Sequence, residues 1–182
     1  MHWAPLSIPD VLLIEPRVFH DERGFFLETF QAKKYALAGI PALMVQDNLS
    51  SSRRDVLRGL HYQILLPQGK LVSVLAGDIF DVAVDLRRSS ATFGQWVGVV
   101  LSSRDRKQLW IPPGFAHGFL VLTESADVLY KVTDFWNPEG ERTLAWDDPQ
   151  VGIRWPLPDG RRPLLSPKDA RGVPLAQADL FD

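Results

Sequence analysis

The chain has 182 residues, 46% hydrophobic and 23% charged, with a formal net charge of −2. That balance excludes a disordered or fibrous chain and predicts a single domain, residues 1–182, large enough to bury a core without staples. The absence of cysteine excludes disulfides, thiolate zinc sites and a cysteine nucleophile, and the interspersed charges argue against a non-specific nucleic-acid binder.

The chain opens on MHWAPLSIPD, where no basic segment leads into an apolar run, so no signal peptide is expected. No apolar stretch approaches the ~18 residues of a membrane span. The expected location is the cytoplasm, with no membrane and no nucleic acid as partner. Residues 25–30 and 43–49 read as strands. Between them, 31–38 is the best helix, stopped by Gly39 and Pro41. Residues 57–63, LRGLHYQ, read as extended; strict alternation puts Leu57, Gly59, His61 and Gln63 on one face, with Arg58, Leu60 and Tyr62 on the other. Strands over 72–75 and 79–86 flank a turn at Ala76-Gly77-Asp78. The run 96–101 leads into a polar turn at 102–107, and 119–122 and 128–133 are two more strands around a turn at 123–127. From Asn137 onward Pro and Gly become frequent, which predicts irregular structure packed on the β domain. Short strands at regular turn spacing predict an all-β antiparallel barrel or jelly roll with short peripheral helices.

Two of the four histidines sit in dense company. His61, beside glycine and glutamine, fits either a polar cavity or a hydrogen-bonded core histidine. His117 follows Pro112 and Gly114 in IPPGFAHGF, which resembles the second motif of cupins, where the histidine points into the barrel. Metal-binding cupins take a His-x-His pair from the first motif. Here that stretch is His61-Tyr62-Gln63, with no carboxylate at cupin spacing, so no metal is expected.

In order along the chain stand DERGFFLETF from Asp21, QDNLSSS from Gln46, VLRGLHYQ from Val56, then Lys70 and GDIFDVAVDLRRSSATFGQW from Gly77. IPPGFAHGF from Ile111, Tyr130 in YKVTDFW, and LSPKD ending at Asp169 follow. From about residue 16 to residue 169 the chain resembles the dTDP-4-dehydrorhamnose 3,5-epimerase family. The resemblance implies a cupin-type fold and epimerisation of dTDP-4-dehydro-6-deoxy-D-glucose at carbons 3 and 5, giving dTDP-4-dehydro-L-rhamnose. It implies no cofactor or metal, a dTDP-sugar as ligand, and a homodimer with the nucleotide pocket near the subunit interface. Pairing of exposed strand edges is one physical reason for such a dimer.

By the same resemblance His61 is the base, Asp169 its paired carboxylate, Tyr130 the proton donor and Lys70 the cation beside the ketone oxygen. Arg23, Arg58 and Lys168 match positions around the diphosphate. Glu28, Gln46 and Asn48 match nucleotide-side positions, and Glu141 and His117 match other ligand contacts. The residues alone leave plainer readings open: Asp169 as a turn or capping residue, Tyr130 as a core aromatic, Lys70 as a solvated loop lysine. Phe135-Trp136 stands where the family often has tyrosines. The competing functions are a metal-dependent cupin oxygenase or isomerase using His61, Gln63 and His117, an epimerase acting at one centre only, and a non-catalytic sugar-binding cupin.

Overall fold

The structure, a computed structural model, describes residues 1–158 and 161–182. In chain order the strands are β1 (His2–Pro5), β2 (Leu12–Glu15), β3 (Val18–Asp21), β4 (Gly24–Leu27), β5 (Gln46–Arg53), β6 (Leu57–Gln63) and β7 (Lys70–Ala76). They continue as β8 (Asp78–Asp85), β9 (Trp96–Ser102), β10 (Gln108–Ile111), β11 (Phe115–Val121), β12 (Ser125–Val132) and β13 (Glu141–Thr143). A six-stranded sheet has the order β1-β2-β10-β7-β12-β5 and a five-stranded sheet the order β13-β6-β11-β8-β9, while β3 and β4 form a separate hairpin. All strand pairs are antiparallel. Two facing sheets with this crossed order make the expected jelly roll.

Alternation explains how the sheets stack. Val72 and Val74 of β7, Leu109 and Ile111 of β10, and Ala126 and Val128 of β12 meet Ile79, Ala83, Val97, Leu101, Phe119 and Val121 from the other sheet. Removing one such side chain from water stabilises by about 1.5–3 kcal/mol, so this inter-sheet layer dominates the fold. The outer faces are covered too. Val82, Val84 and Leu86 pack under Leu144, Val151, Trp155, Leu175 and Phe181 of the C-terminal segment. Ile14, Leu71 and Trp110 pack under Tyr35 and Ile40. Tyr35 belongs to the helix α1 (Ala32–Ala36), which Gln31 caps by accepting from the Lys34 amide.

The sequence expectations differ from the structure in particular places. The predicted strand at 25–30 ends at Leu27, because β4 pairs only with β3 in a hairpin that leaves Phe25 49% and Phe26 71% exposed. The strand expected at 43–49 starts at Gln46 and runs on to Arg53 through a Ser-rich stretch that pairs fully with β12. Its inward side is polar, so it carries no apolar period. The short strands β1, β2, β10 and β13 fall below the length at which a pattern can be read. Beyond β13 the described residues are irregular apart from two single 3-10 turns, Asp169–Arg171 and Leu175–Gln177, as the Pro and Gly content of this stretch predicts.

The strict alternation over 57–63 fails at Gly59. His117 pairs with His61 and Phe119 with Arg58, so three steps along β6 answer two along β11. This bulge puts Arg58 and His61 on the same side. Gly59 makes it possible: its φ is +116°, and a Cβ there would lie 2.6 Å from the Gly118 Cα. The DLRRSS stretch also has a structural role. Asp85 is fully buried and accepts from Arg87, Ser90 and Thr92, which shapes the loop after β8. Burial pushes its carboxyl up, but these donors outweigh that and hold it at about 2.

Candidate active site

A cavity of about 390 Å³ opens between the two sheets. The five-stranded sheet supplies Arg58, His61, Gln63, His117 and Glu141, and the six-stranded sheet supplies Gln46, Asn48, Lys70 and Tyr130. Eight of the twelve residues expected at the site line this cavity, and a ninth, Asp169, lies directly behind His61. Asp169 is 4% exposed, and its Oδ1 lies 2.5 Å from His61 Nε2. Lys168 sits at the rim and pairs with Glu141 at 2.5 Å. Arg23 and Glu28 do not line the cavity: Arg23 pairs with Asp21 in the exposed β3–β4 hairpin, and Glu28 pairs with Lys34.

The paired groups carry defined proton states. Burial lowers the His61 pKa and outweighs the Asp169 carboxylate that raises it, with Lys168 and Lys70 lowering it further. Burial raises the Asp169 carboxyl, but hydrogen bonds from His61 and Ser166 overcome this and leave it lowered. A neutral imidazole beside a carboxylate must donate from Nε2, so Nδ1 is left as a free proton acceptor. Ser166 Oγ holds the second Asp169 oxygen at 2.8 Å and accepts from the Asp169 amide at 3.1 Å. The turn that the plainer reading gave Asp169 is therefore real, and it aims the carboxylate at His61.

Lys70 is 6% exposed, and its Nζ donates to the His61 carbonyl at 3.0 Å. Burial brings its pKa down to about 8, against the pull of Asp81 and Glu141. Two further N–H donors remain for a ligand oxygen. The Tyr130 hydroxyl has no protein partner among the described residues, and burial raises its pKa. Arg58 Nε donates to Ser52 Oγ at 2.9 Å, which points the guanidinium along polar β5. The Gln46 amide bridges Asn48 and the Trp136 amide nitrogen, tying β5 to the cavity mouth.

Gln63 is fully used elsewhere. Its Nε2 donates to the Leu66 and Phe135 carbonyls, and its Oε1 accepts from the Asn137 amide. That leaves the metal-dependent alternative without its third ligand, and no cluster of three His, Cys, Asp or Glu able to hold a metal occurs among the described residues.

The sequence reading missed Asp81. It is fully buried, and both its oxygens lie 3.0 Å from His117 Nε2. A signal was present: β8 alternates Ile79, Asp81, Ala83 on the face that joins the inter-sheet core, and a charged residue at that parity needs a partner. Trp136 at the mouth was noted only as a departure from the family pattern; it lines the cavity and is 57% exposed.

A jelly roll whose interior holds a carboxylate-backed histidine, a buried lysine and a tyrosine whose hydroxyl has no partner among the described residues defines a cupin-type protein equipped for proton transfer. The model of the dTDP-4-dehydrorhamnose 3,5-epimerase family matches residues 5–177, and the chain belongs to that family. It is 59% identical over 177 residues to the dTDP-4-dehydrorhamnose 3,5-epimerase of Pseudomonas aeruginosa, covering 97% of each chain. Among solved structures it is similar to the dTDP-6-deoxy-D-glucose-3,5-epimerase of Legionella pneumophila in complex with dTDP-4-keto-L-rhamnose, with 54% identity, a TM-score of 0.94, and 98% and 94% of the two chains covered. A 3'-monoepimerase from Streptomyces bikiniensis, in complex with dTDP-quinovose, shares 34% identity at a TM-score of 0.88, with 95% and 87% covered.

Proposed function

We infer that this chain epimerises dTDP-4-dehydro-6-deoxy-D-glucose at carbons 3 and 5 to dTDP-4-dehydro-L-rhamnose. The observation that carries the reading is the free Nδ1 of the Asp169-backed His61 in one cavity with Tyr130 and Lys70. The ketone at carbon 4 acidifies the hydrogens on carbons 3 and 5. His61 Nδ1 takes the proton as an enolate forms, the Lys70 ammonium faces the enolate oxygen, and the Tyr130 hydroxyl returns a proton to the opposite face. Asp169 fixes the His61 tautomer and steadies the imidazolium. Arg58, Lys168, Gln46, Asn48, Glu141 and His117 bind the dTDP-sugar. Greater likeness to two-centre than to single-centre relatives favours inversion at both carbons.

The test is NMR of dTDP-4-dehydro-6-deoxy-D-glucose with the protein in deuterated water containing a chelator. Deuterium is expected at carbons 3 and 5, with the L-rhamno product formed at an undiminished rate. Loss of activity restored by a defined divalent ion would overturn the metal-free scheme.

The pH profile should be a bell. The base must be neutral, so kcat/KM rises through a His61 pKa below the usual 6.5. The enolate needs a cation, so kcat/KM falls as Lys70 loses its proton at about 8. Lys70→Gln should remove the upper limb; an unchanged limb would assign it to another group.

We assign the chain as a single cytoplasmic domain that works as a homodimer, one copy's β3–β4 hairpin reaching the other copy's cavity. Supporting this, Arg23 and Glu28 stand outside their own cavity, and Phe19, Phe25 and Phe26 of the hairpin are 48%, 49% and 71% exposed. Light scattering at micromolar concentration should give twice the 20.5 kDa chain mass. A monomer would count against it.

A further inference from the structure

Two inversions set a requirement that His61 and Tyr130 alone do not meet. The first breaks a carbon–hydrogen bond and leaves that proton on His61 Nδ1. It forms the new carbon–hydrogen bond with the Tyr130 hydroxyl proton. The pair is then imidazolium and phenolate, with the proton count of the protein unchanged. A second inversion needs the proton off His61 and a proton back on Tyr130.

A second histidine–carboxylate pair borders both groups. His117 is the cross-strand partner of His61, and its ring meets Tyr130 edge-on with centroids 6.5 Å apart. His117 is 6% exposed and Asp81 is fully buried. Facing two carboxylate oxygens, His117 Nε2 is the donor, which leaves Nδ1 as the nitrogen that can take up and give back a proton. That nitrogen has no protein partner among the described residues, and His117 lines the cavity. The arrangement repeats His61–Asp169, with Nε2 on the carboxylate and Nδ1 free. A residue that served only to bind a sugar hydroxyl would not need a second buried carboxylate, which is costly unless its charge is used.

We propose that His117, with Asp81 as its positioning residue, relays a proton back to Tyr130 between the two inversions. The inference rests on the two-centre reaction proposed above. Solvent water in the cavity takes the proton from His61 Nδ1, breaking that N–H bond, and delivers one to His117 Nδ1. His117 then gives its Nδ1 proton to the Tyr130 phenolate, forming the O–H bond. No proton is gained or lost overall. While loaded, His117 is an imidazolium against the Asp81 carboxylate.

Asp81→Asn keeps the size but removes the charge that supports the loaded ring. In single-turnover reactions with enzyme in excess, run at about pH 6.5 so that Lys70 keeps its proton without the Asp81 charge, then quenched and resolved into singly and doubly inverted sugar, the variant's first inversion should stay within about threefold of wild type while the second slows by about tenfold or more. Singly inverted sugar then accumulates. A structural role would slow both steps alike, so equal slowing of both, or slowing of neither, overturns the relay. If Asp81→Asn no longer binds dTDP, His117→Gln, which keeps Asp81, is read only by the ratio of the two inversion rates, because a lost ligand contact lowers both alike: a second step slowed at least about threefold more than the first supports the relay, and equal slowing overturns it. Wild type that inverts only one carbon, or none, refutes the two-centre reaction itself before any variant is measured.

Discussion

Replacing His61 with Asn is expected to lower kcat by about 10²–10⁴-fold and to abolish deuterium uptake at both carbon 3 and carbon 5. The reason is that His61 combines a free imidazole nitrogen, a carboxylate already placed to stabilise the charge it acquires, and a lowered pKa that keeps it neutral. Ser166 Oγ still donates to Asp169, so the buried carboxylate keeps a partner and the protein should stay folded. The His61 side chain is 30% exposed, which makes the change tolerable to packing. NMR in deuterated water together with a thermal melt checks both halves. Surviving exchange at one carbon would mean a separate base for that position, and His117, with its own free Nδ1, is the group to replace next.

Most of this site was legible only through the order of the family fragments, since each residue by itself kept a plainer reading. His61 and His117 stand in runs bounded by Gly and Pro, and the family pattern of ordered fragments reached Lys70, Tyr130 and Asp169. The misreadings have local physical causes. Alternation assumes a regular pleat, and the extra residue at Gly59 moved Arg58 to the His61 side. β5 went unrecognised beyond Leu49 because Ser50 and Ser52 give its inward face no apolar signal, although the backbone pairs with β12 throughout. The aromatic run Phe25-Phe26 read as part of a strand and is exposed, since hydrophobicity in a sequence does not say whether a face packs inside the domain or stays open on its surface. Asp81 was visible as a charge at a core parity, yet its partner is 36 residues away, a separation that no local pattern reports.

Tyr130→Phe should separate two events that His61→Asn abolishes together. The variant keeps the ring that packs against the inter-sheet core and meets His117, and loses only the hydroxyl. That hydroxyl has no protein partner among the described residues, so removing it leaves no orphaned group and folding should be unaffected. His61 still removes the carbon-bound proton, and Lys70 still faces the enolate. The enolate can then recapture deuterium from the His61 side, which exchanges the hydrogen without inverting the carbon. Delivery from the opposite face now depends on water, so inversion should fall by about 10²–10⁴-fold while exchange falls less. The raised Tyr130 pKa supports the assignment, because burial keeps the phenol protonated and ready to donate at the pH where His61 is neutral. The comparison is one experiment: deuterium incorporation and product stereochemistry followed in the same NMR sample. If Tyr130 only packed against the sugar, both rates would decline by the same factor, and the proton donor would have to be sought elsewhere in the cavity.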